Sequence, residues 1–175
     1  MTLPEKIVAL HTALRAANLP HAFGGALALA WCTQRARGTI DIDINIFVDS
    51  EQVNAVFAAL PGSIDSSKAL QQTLKKDGQV RLWWDKTPVD IFLNTTDYHR
   101  EAQRRIRWEA FAGNRVPFLD CLDVAVFKTF FNRTRDWADL EAMQEAGTLD
   151  TAAIIAVLER YLGNSDERID KLRGL

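Results

Sequence analysis

The sequence predicts an α+β (mixed α/β) protein in which a mixed sheet flanked by helices is followed by a helical C-terminal third. Three observations carry the prediction. Ile40, Ile42, Ile44 and Ile46 alternate with Asp41, Asp43, Asn45 and Phe47, the two-residue period of a strand with unlike faces. Two further β-rich runs occupy residues 79–84 and 88–93, and from residue 120 onward apolar residues recur at helical spacing behind capping residues. The 175 residues, 47% hydrophobic and 25% charged, can bury a substantial core, so one domain over residues 1–175 is expected. Residues 1–118 would form its sheet-containing core and residues 119–175 the helices packed on it.

The elements follow in chain order. Residues 4–17 place Ile7, Leu10 and Leu14 on one helical stripe, with Pro4 in the first turn and a break at Asn18-Leu19-Pro20. His21-Ala22-Phe23 reads as a short strand, Gly24-Gly25 as a turn, and residues 26–31 as a small, apolar, buried helix. The acidic strand is expected over residues 39–48, and a helix over 50–60 ends at Pro61-Gly62. Asp85-Lys86-Thr87 joins the two β-rich runs into a hairpin whose second arm holds Asp90. Residues 98–108 read as helix and 111–118, around Gly113-Asn114, as another hairpin. Helices are then expected over 120–132, over 135–146 behind Thr134, and over 151–162 behind Asp150, before a short polar tail.

Composition narrows the function classes. A net charge of −2 gives no global attraction to nucleic acid or to an anionic membrane. No apolar run reaches transmembrane length and the N-terminus lacks a signal-peptide pattern, so a cytoplasmic protein without a membrane partner is expected. Cys32 and Cys121, each inside an apolar run, support neither a disulfide framework nor a cysteine zinc site, and a reducing compartment fits them best.

The chemistry-bearing residues are few. Asp41 and Asp43, at i and i+2 on one strand face, stand about 7 Å apart at their backbones, close enough to grip a divalent cation together. Asp90 on a neighbouring strand would complete a set of three acids, which makes physical sense chiefly when cations neutralise it. Magnesium suits such hard oxygen ligands. Gly24-Gly25 alone reads as a tight bend; with the acidic strand fifteen residues behind it, the pair reads as a phosphate cradle at a helix N-terminus.

Other features carry weaker readings. Arg100, Arg104, Arg105 and Arg107 read first as a solvated helix face, and second as an electrostatic seat for a nucleic-acid acceptor. Asp136 and Asp139 read as capping or ion-pairing groups near Arg133 and Arg135, and Lys128, set among phenylalanines, equally as a lysine that snorkels to the surface. Trp83 and Trp84 must face opposite ways, and His11, His21 and His99 show no metal-ligand spacing.

Phe23-Gly24-Gly25, followed by Arg37-Gly38-Thr39-Ile40-Asp41-Ile42-Asp43, resembles the glycine turn and Asp-apolar-Asp strand of the DNA polymerase beta-like nucleotidyltransferase superfamily. Val89-Asp90-Ile91 resembles its third-carboxylate strand. Arg37-x-Thr39 before the acids, Lys128, and the run Arg135-Asp136-Trp137-Ala138-Asp139 are similar to the abortive-infection toxin (AbiEii-like) branch. The resemblance spans residues 23–140. It implies catalytic, magnesium-binding Asp41, Asp43 and Asp90, with Mn2+ as an alternative ion, and NTP contacts from Gly24, Gly25, Arg37, Thr39 and Lys128. The implied reaction moves a nucleoside monophosphate from NTP to an acceptor hydroxyl on tRNA, a small molecule such as an antibiotic, or a protein. A toxin with a cognate antitoxin is the leading version; antibiotic modification, a catalytically silent nucleotide-binding module and a metal-dependent hydrolase are the alternatives.

Overall fold

The computed structural model describes residues 1–36 and 38–175, so Arg37, expected to contact NTP, lies outside the described residues. Helix α1 (Leu3–Ala16) begins where Thr2 and Glu5 cap each other: the Thr2 hydroxyl accepts from the Glu5 N–H at 3.4 Å, and the Glu5 carboxylate accepts from the Thr2 N–H at 2.7 Å. Its stripe of Ile7, Leu10 and Leu14 is completely buried. Cutting Leu10 to alanine there should cost about 2–5 kcal/mol.

Two compact units divide the chain, Met1–Leu27 with Gly38–Leu119, and Ala28–Arg37 with Asp120–Leu175. The first holds β1 (His21–Phe23), β2 (Ile42–Ile46), β3 (Gln79–Trp84), β4 (Thr87–Phe92), β5 (Arg107–Phe111) and β6 (Asn114–Phe118) in one six-stranded mixed sheet of order β3-β4-β2-β1-β6-β5. The β4–β2 and β1–β6 pairs are parallel and the others antiparallel. Helix α2 (Gly25–Thr33) starts directly behind β1; α3 (Val53–Ala59), α4 (Lys68–Asp77) and α5 (Tyr98–Arg104) complete the unit. Val80, Leu82, Val89, Ile91, Ile42 and Ile44 form a buried apolar face across β3, β4 and β2, with α4 packed on β3.

Several elements differ from the sequence reading. The acidic strand starts at Ile42, so Ile40 lies ahead of the sheet and is 76% exposed, where strict alternation puts it on the apolar face. The expected 50–60 helix is a 3-10 turn (Ser50–Gln52) followed by α3. Helix α4 went unrecognised because Leu74 is its only fully buried residue; Gly78, at φ 69°, closes it with its N–H on the Leu74 carbonyl. The helix expected to Trp108 ends at Arg104, and Arg107–Phe111 is instead the edge strand β5, whose side chains are at most half-buried. Pairing with β6 decides that segment, through a turn in which Ala112 (φ 46°) and Gly113 (φ 76°) both take the left-handed conformation suited to a two-residue hairpin.

In the second unit, α6 (Cys121–Phe131), α7 (Thr134–Glu145), α8 (Thr151–Leu162) and α9 (Glu167–Arg173) gather Val126, Leu140, Met143, Ile154, Leu158, Ile169 and Leu172, none more than 1% exposed. The tail expected to be only polar thus ends in a helix, because Ile169 and Leu172 sit three apart on one face. Cys32 and Cys121 form a disulfide with Cα atoms 5.6 Å apart, tying the end of α2 to the start of α6. This corrects the expectation of two unlinked cysteines: 89 positions separate them in sequence, and only the fold makes them neighbours. Among the described residues no helix is long and apolar enough to cross a membrane.

Candidate active site

Sheet register sets one row of residues side by side across four chain segments. Arg81 on β3 is paired with Asp90 on β4, Asp90 with Asp43 on β2, and Asp43 accepts at its backbone carbonyl from the Gly24 N–H at 2.9 Å. Paired residues in a sheet point to the same face and lie about 4.8 Å apart, so the Asp43 and Asp90 carboxylates are neighbours on the face opposite the apolar one. Asp41 stands one residue ahead of β2, where its carboxylate and its carbonyl accept from the Thr39 hydroxyl.

The glycine turn meets this row at Asp43. A Cβ added at Gly25 would lie 1.8 Å from Asp43 Oδ2, and Gly25 has φ 51°, so only glycine fits the first residue of α2. That contact puts the Asp43 carboxylate against the N-terminus of α2, whose free N–H groups and dipole favour anions. Gly24 is less constrained: a Cβ there would approach the flexible Leu119 Cδ1 at 3.1 Å.

Arg81 fills the other end of the row. Its Nε donates to Asp90 Oδ1 at 2.7 Å and its Nη2 to Asp90 Oδ2 at 2.6 Å, a bidentate fork. The guanidinium is held more firmly protonated than usual, first by the hydrogen bonds to Asp90, then by the charge of Asp90, with Asp41 and Asp43 adding to it. Arg81 therefore lies within electrostatic reach of all three acids. Their hard oxygen donors fit a magnesium-like cation, and the location already draws a positive charge. No three His, Cys, Asp or Glu side chains among the described residues are gathered for a metal ion.

No family profile matches the sequence, and no curated protein matches it. Solved structures do match. The antibiotic-resistance factor ANT(2'')-Ia, crystallised with adenylyl-2''-tobramycin, is 16% identical, with 92% of this chain and 99% of that one covered at a TM-score of 0.63. The lincosamide antibiotic adenylyltransferase LnuA, bound to lincomycin, is 12% identical over 81% of this chain and 96% of that one, at 0.51. An antigenic nucleotidyltransferase-like protein from Paracoccidioides brasiliensis is 12% identical over 98% and 85%, at 0.55. The chain has the nucleotidyltransferase fold.

Within that fold Gly24, Gly25, Thr39, Asp41, Asp43 and Asp90 all belong to the first unit, whereas Lys128 belongs to the second. Lys128 is only 8% exposed, and its Nζ donates to Asp139 Oδ2 at 2.6 Å with Asp136 Oδ1 at 3.6 Å. Asp136 also accepts the Arg133 side chain and caps α7 through the Arg133 N–H. Burial raises the Asp136 pKa, but the hydrogen bonds and charges of Arg133 and Lys128 outweigh it and hold the group below its usual value. Both acids are thus ion-pairing groups of the helical unit.

The arginine cluster does not form one helix face. Arg100 is paired with Asp49 at 3.0 Å and Asp97 at 3.1 Å, Arg105 lies over the Tyr98 ring, and Arg107 sits on β5 beside Glu109. Trp84 is buried and Trp83 half-exposed, on opposite faces of β3 as alternation requires. Arg81 is the site residue that motif reading missed. The β3–β4 hairpin turns on Asp85 and Lys86, pairing Trp84 with Thr87; counting back three on each arm sets Arg81 opposite Asp90.

Proposed function

We propose that this chain is a divalent-metal-dependent nucleotidyltransferase that moves a nucleoside monophosphate from an NTP to an acceptor hydroxyl and releases pyrophosphate. The observation that supports it is the row Asp90, Asp43, Gly24 on a nucleotidyltransferase fold, which sets neighbouring carboxylates beside a glycine turn and a helix N-terminus. Asp41, Asp43 and Asp90 would hold magnesium or manganese, which when bound neutralises triphosphate charge and acidifies the acceptor hydroxyl. Gly24 and Gly25 let backbone N–H groups approach phosphate oxygens at the start of α2. Thr39 orients Asp41 through its hydroxyl. Arg37 and Lys128 stay in the reading as NTP contacts on the motif resemblance. The acceptor oxygen bonds to the α-phosphorus, the α–β bridging P–O bond breaks, and Asp90 takes the acceptor proton.

Two acceptor classes have specific support. The Arg37-x-Thr39, Lys128 and Arg135–Asp139 elements favour an AbiEii-like toxin that modifies tRNA in the cytoplasm and is held in check by an antitoxin. The likeness to ANT(2'')-Ia and LnuA favours a small hydroxylated molecule of the aminoglycoside or lincosamide kind. The deciding experiment incubates the chain with each α-labelled NTP, magnesium, and separate RNA, protein and small-molecule fractions. Label should enter one fraction, and Asp41→Asn with Asp43→Asn should cut transfer at least about a hundredfold without unfolding the chain. Equal transfer by that double variant would refute the assignment.

A further inference from the structure

We propose that Arg81 is an internal counter-cation of the acidic site, seated on Asp90 until a divalent cation takes its place. The inference rests on the nucleotidyltransferase reading and adds to it a residue with a defined role in loading the site.

Four observations converge on Arg81. Its fork uses both oxygens of Asp90, the carboxylate paired with Asp43 across the parallel strands. Its charge is stabilised chiefly by Asp90, with smaller shares from Asp41 and Asp43, so it acts on Asp90 first and on the other two acids at longer range. It projects from β3, an edge strand of the sheet, where the site meets solvent. Finally, the Arg81 side chain is 54% exposed and that of Asp90 15%.

Together these describe an exchangeable cation. Neighbouring carboxylates repel one another, so a positive charge on Asp90 stabilises the unloaded row. A buried arginine would be locked in, because leaving would strand the acid. A half-exposed one can swing into water and keep its hydration, so even a bidentate fork can give way to a competitor of higher charge. A divalent ion brings two charges to the same oxygens and gains from Asp41 and Asp43 at once, so it outcompetes the guanidinium when present in excess. Arg81 therefore sets how much metal the site requires, and metal affinity in the unloaded chain is the net result of an exchange.

Direct binding of Mn2+ without nucleotide, followed by loss of the free-ion electron paramagnetic resonance signal, tests this apart from activity. Removing a unit positive charge about 5 Å from a divalent ion in a water-like surrounding should tighten binding by about tenfold. Arg81→Ala should do so, and Arg81→Lys, which keeps the charge, should stay within about threefold of wild type. Asp43→Asn should abolish binding in both backgrounds, which locates the ion; binding that survives it overturns the inference. Arg81→Met, which keeps side-chain bulk on the edge strand, serves if the alanine variant fails to fold. A purely structural arginine would weaken binding when removed, so the sign of the change decides. Wild-type binding with equal or weaker binding in Arg81→Ala overturns the role of Arg81 and leaves the metal site standing. No Mn2+ binding in any variant overturns both together.

Discussion

Replacing Gly25 by alanine separates two effects that one glycine combines here. The new Cβ would stand 1.8 Å from Asp43 Oδ2, 2.5 Å from its Cγ and 3.0 Å from its Cβ, at a backbone φ of 51°. The left-handed backbone alone costs a side-chain-bearing residue about 1–2 kcal/mol. Relieving the overlap means moving a strand carboxylate that register holds beside Asp90, an overpacking cost of about 1–3 kcal/mol. Gly113 supplies the control, since it has φ 76° and nothing within 4 Å of an added Cβ. Gly113→Ala should therefore show strain alone, a fall in Tm of about 2–6 °C, and Gly25→Ala the sum, about 5–15 °C, in thermal unfolding followed by circular dichroism. Gly24→Ala, whose Cβ would meet the flexible Leu119 Cδ1 at 3.1 Å and Asn45 Oδ1 at an ordinary 3.5 Å, should cost less than Gly25→Ala. The overlap should shrink in an Asp43→Ala background, where the carboxylate is gone, and a double-mutant cycle reads that coupling directly. A Gly25→Ala chain as stable as Gly113→Ala, with no coupling to Asp43, would refute the packing of the glycine turn on the acidic strand.

Two further outcomes follow from buried titratable groups. His11 Nδ1 and His21 Nε2 lie 2.9 Å apart; the His21 Nδ1–H donates to the Leu19 carbonyl at 2.7 Å, which leaves its Nε2 to accept the His11 proton, so both rings are neutral. Burial lowers both pKa values, that of His21 to about 4, and Arg15 and His11 add smaller shares to the His11 and His21 shifts respectively. Below the ordinary histidine value of about 6.5 the unfolded chain binds protons that the folded chain refuses, so stability is full above about 6.5 and falls as pH drops towards 4, by about 3 kcal/mol at most. Urea unfolding between pH 7 and 5 should show that slope, and an equal slope in His21→Gln would rule the pair out as its source. In the helical unit, Lys128→Met leaves Asp139 without its nearest cation and should cost about 3–5 kcal/mol, with part recovered by Asp139→Leu. An unchanged Tm in Lys128→Met would show that the lysine contributes little to the fold.

What the sequence shows and what it hides divide along a physical line. Asp43 and Gly25 stand out because each obeys a local rule: alternation sets Asp43 on the face opposite the isoleucines, and close approach to its carboxylate demands glycine at position 25. Helix α4 was missed because one buried leucine makes almost no periodic signal, and β5 because an edge strand needs few apolar residues once β6 supplies its hydrogen bonds. Lys128 reads equally as an NTP contact and as a lysine that snorkels among phenylalanines; its acidic partners lie 8 and 11 residues later, on the next helix. The disulfide and the arginine at the acids are long-range or cross-strand pairings of the same kind.

Arg81 is the instructive case, because its partner could be counted from the sequence once the turn was read as two residues instead of three. A three-residue turn slips the register by one and sets Arg81 opposite Ile91; the two-residue turn on Asp85, at φ 54°, and Lys86 sets it opposite Asp90. Motifs thus identify the groups that bind a cation, while register decides which cation the protein supplies itself. The charge balance of such a site is a property of the sheet and not of any one strand.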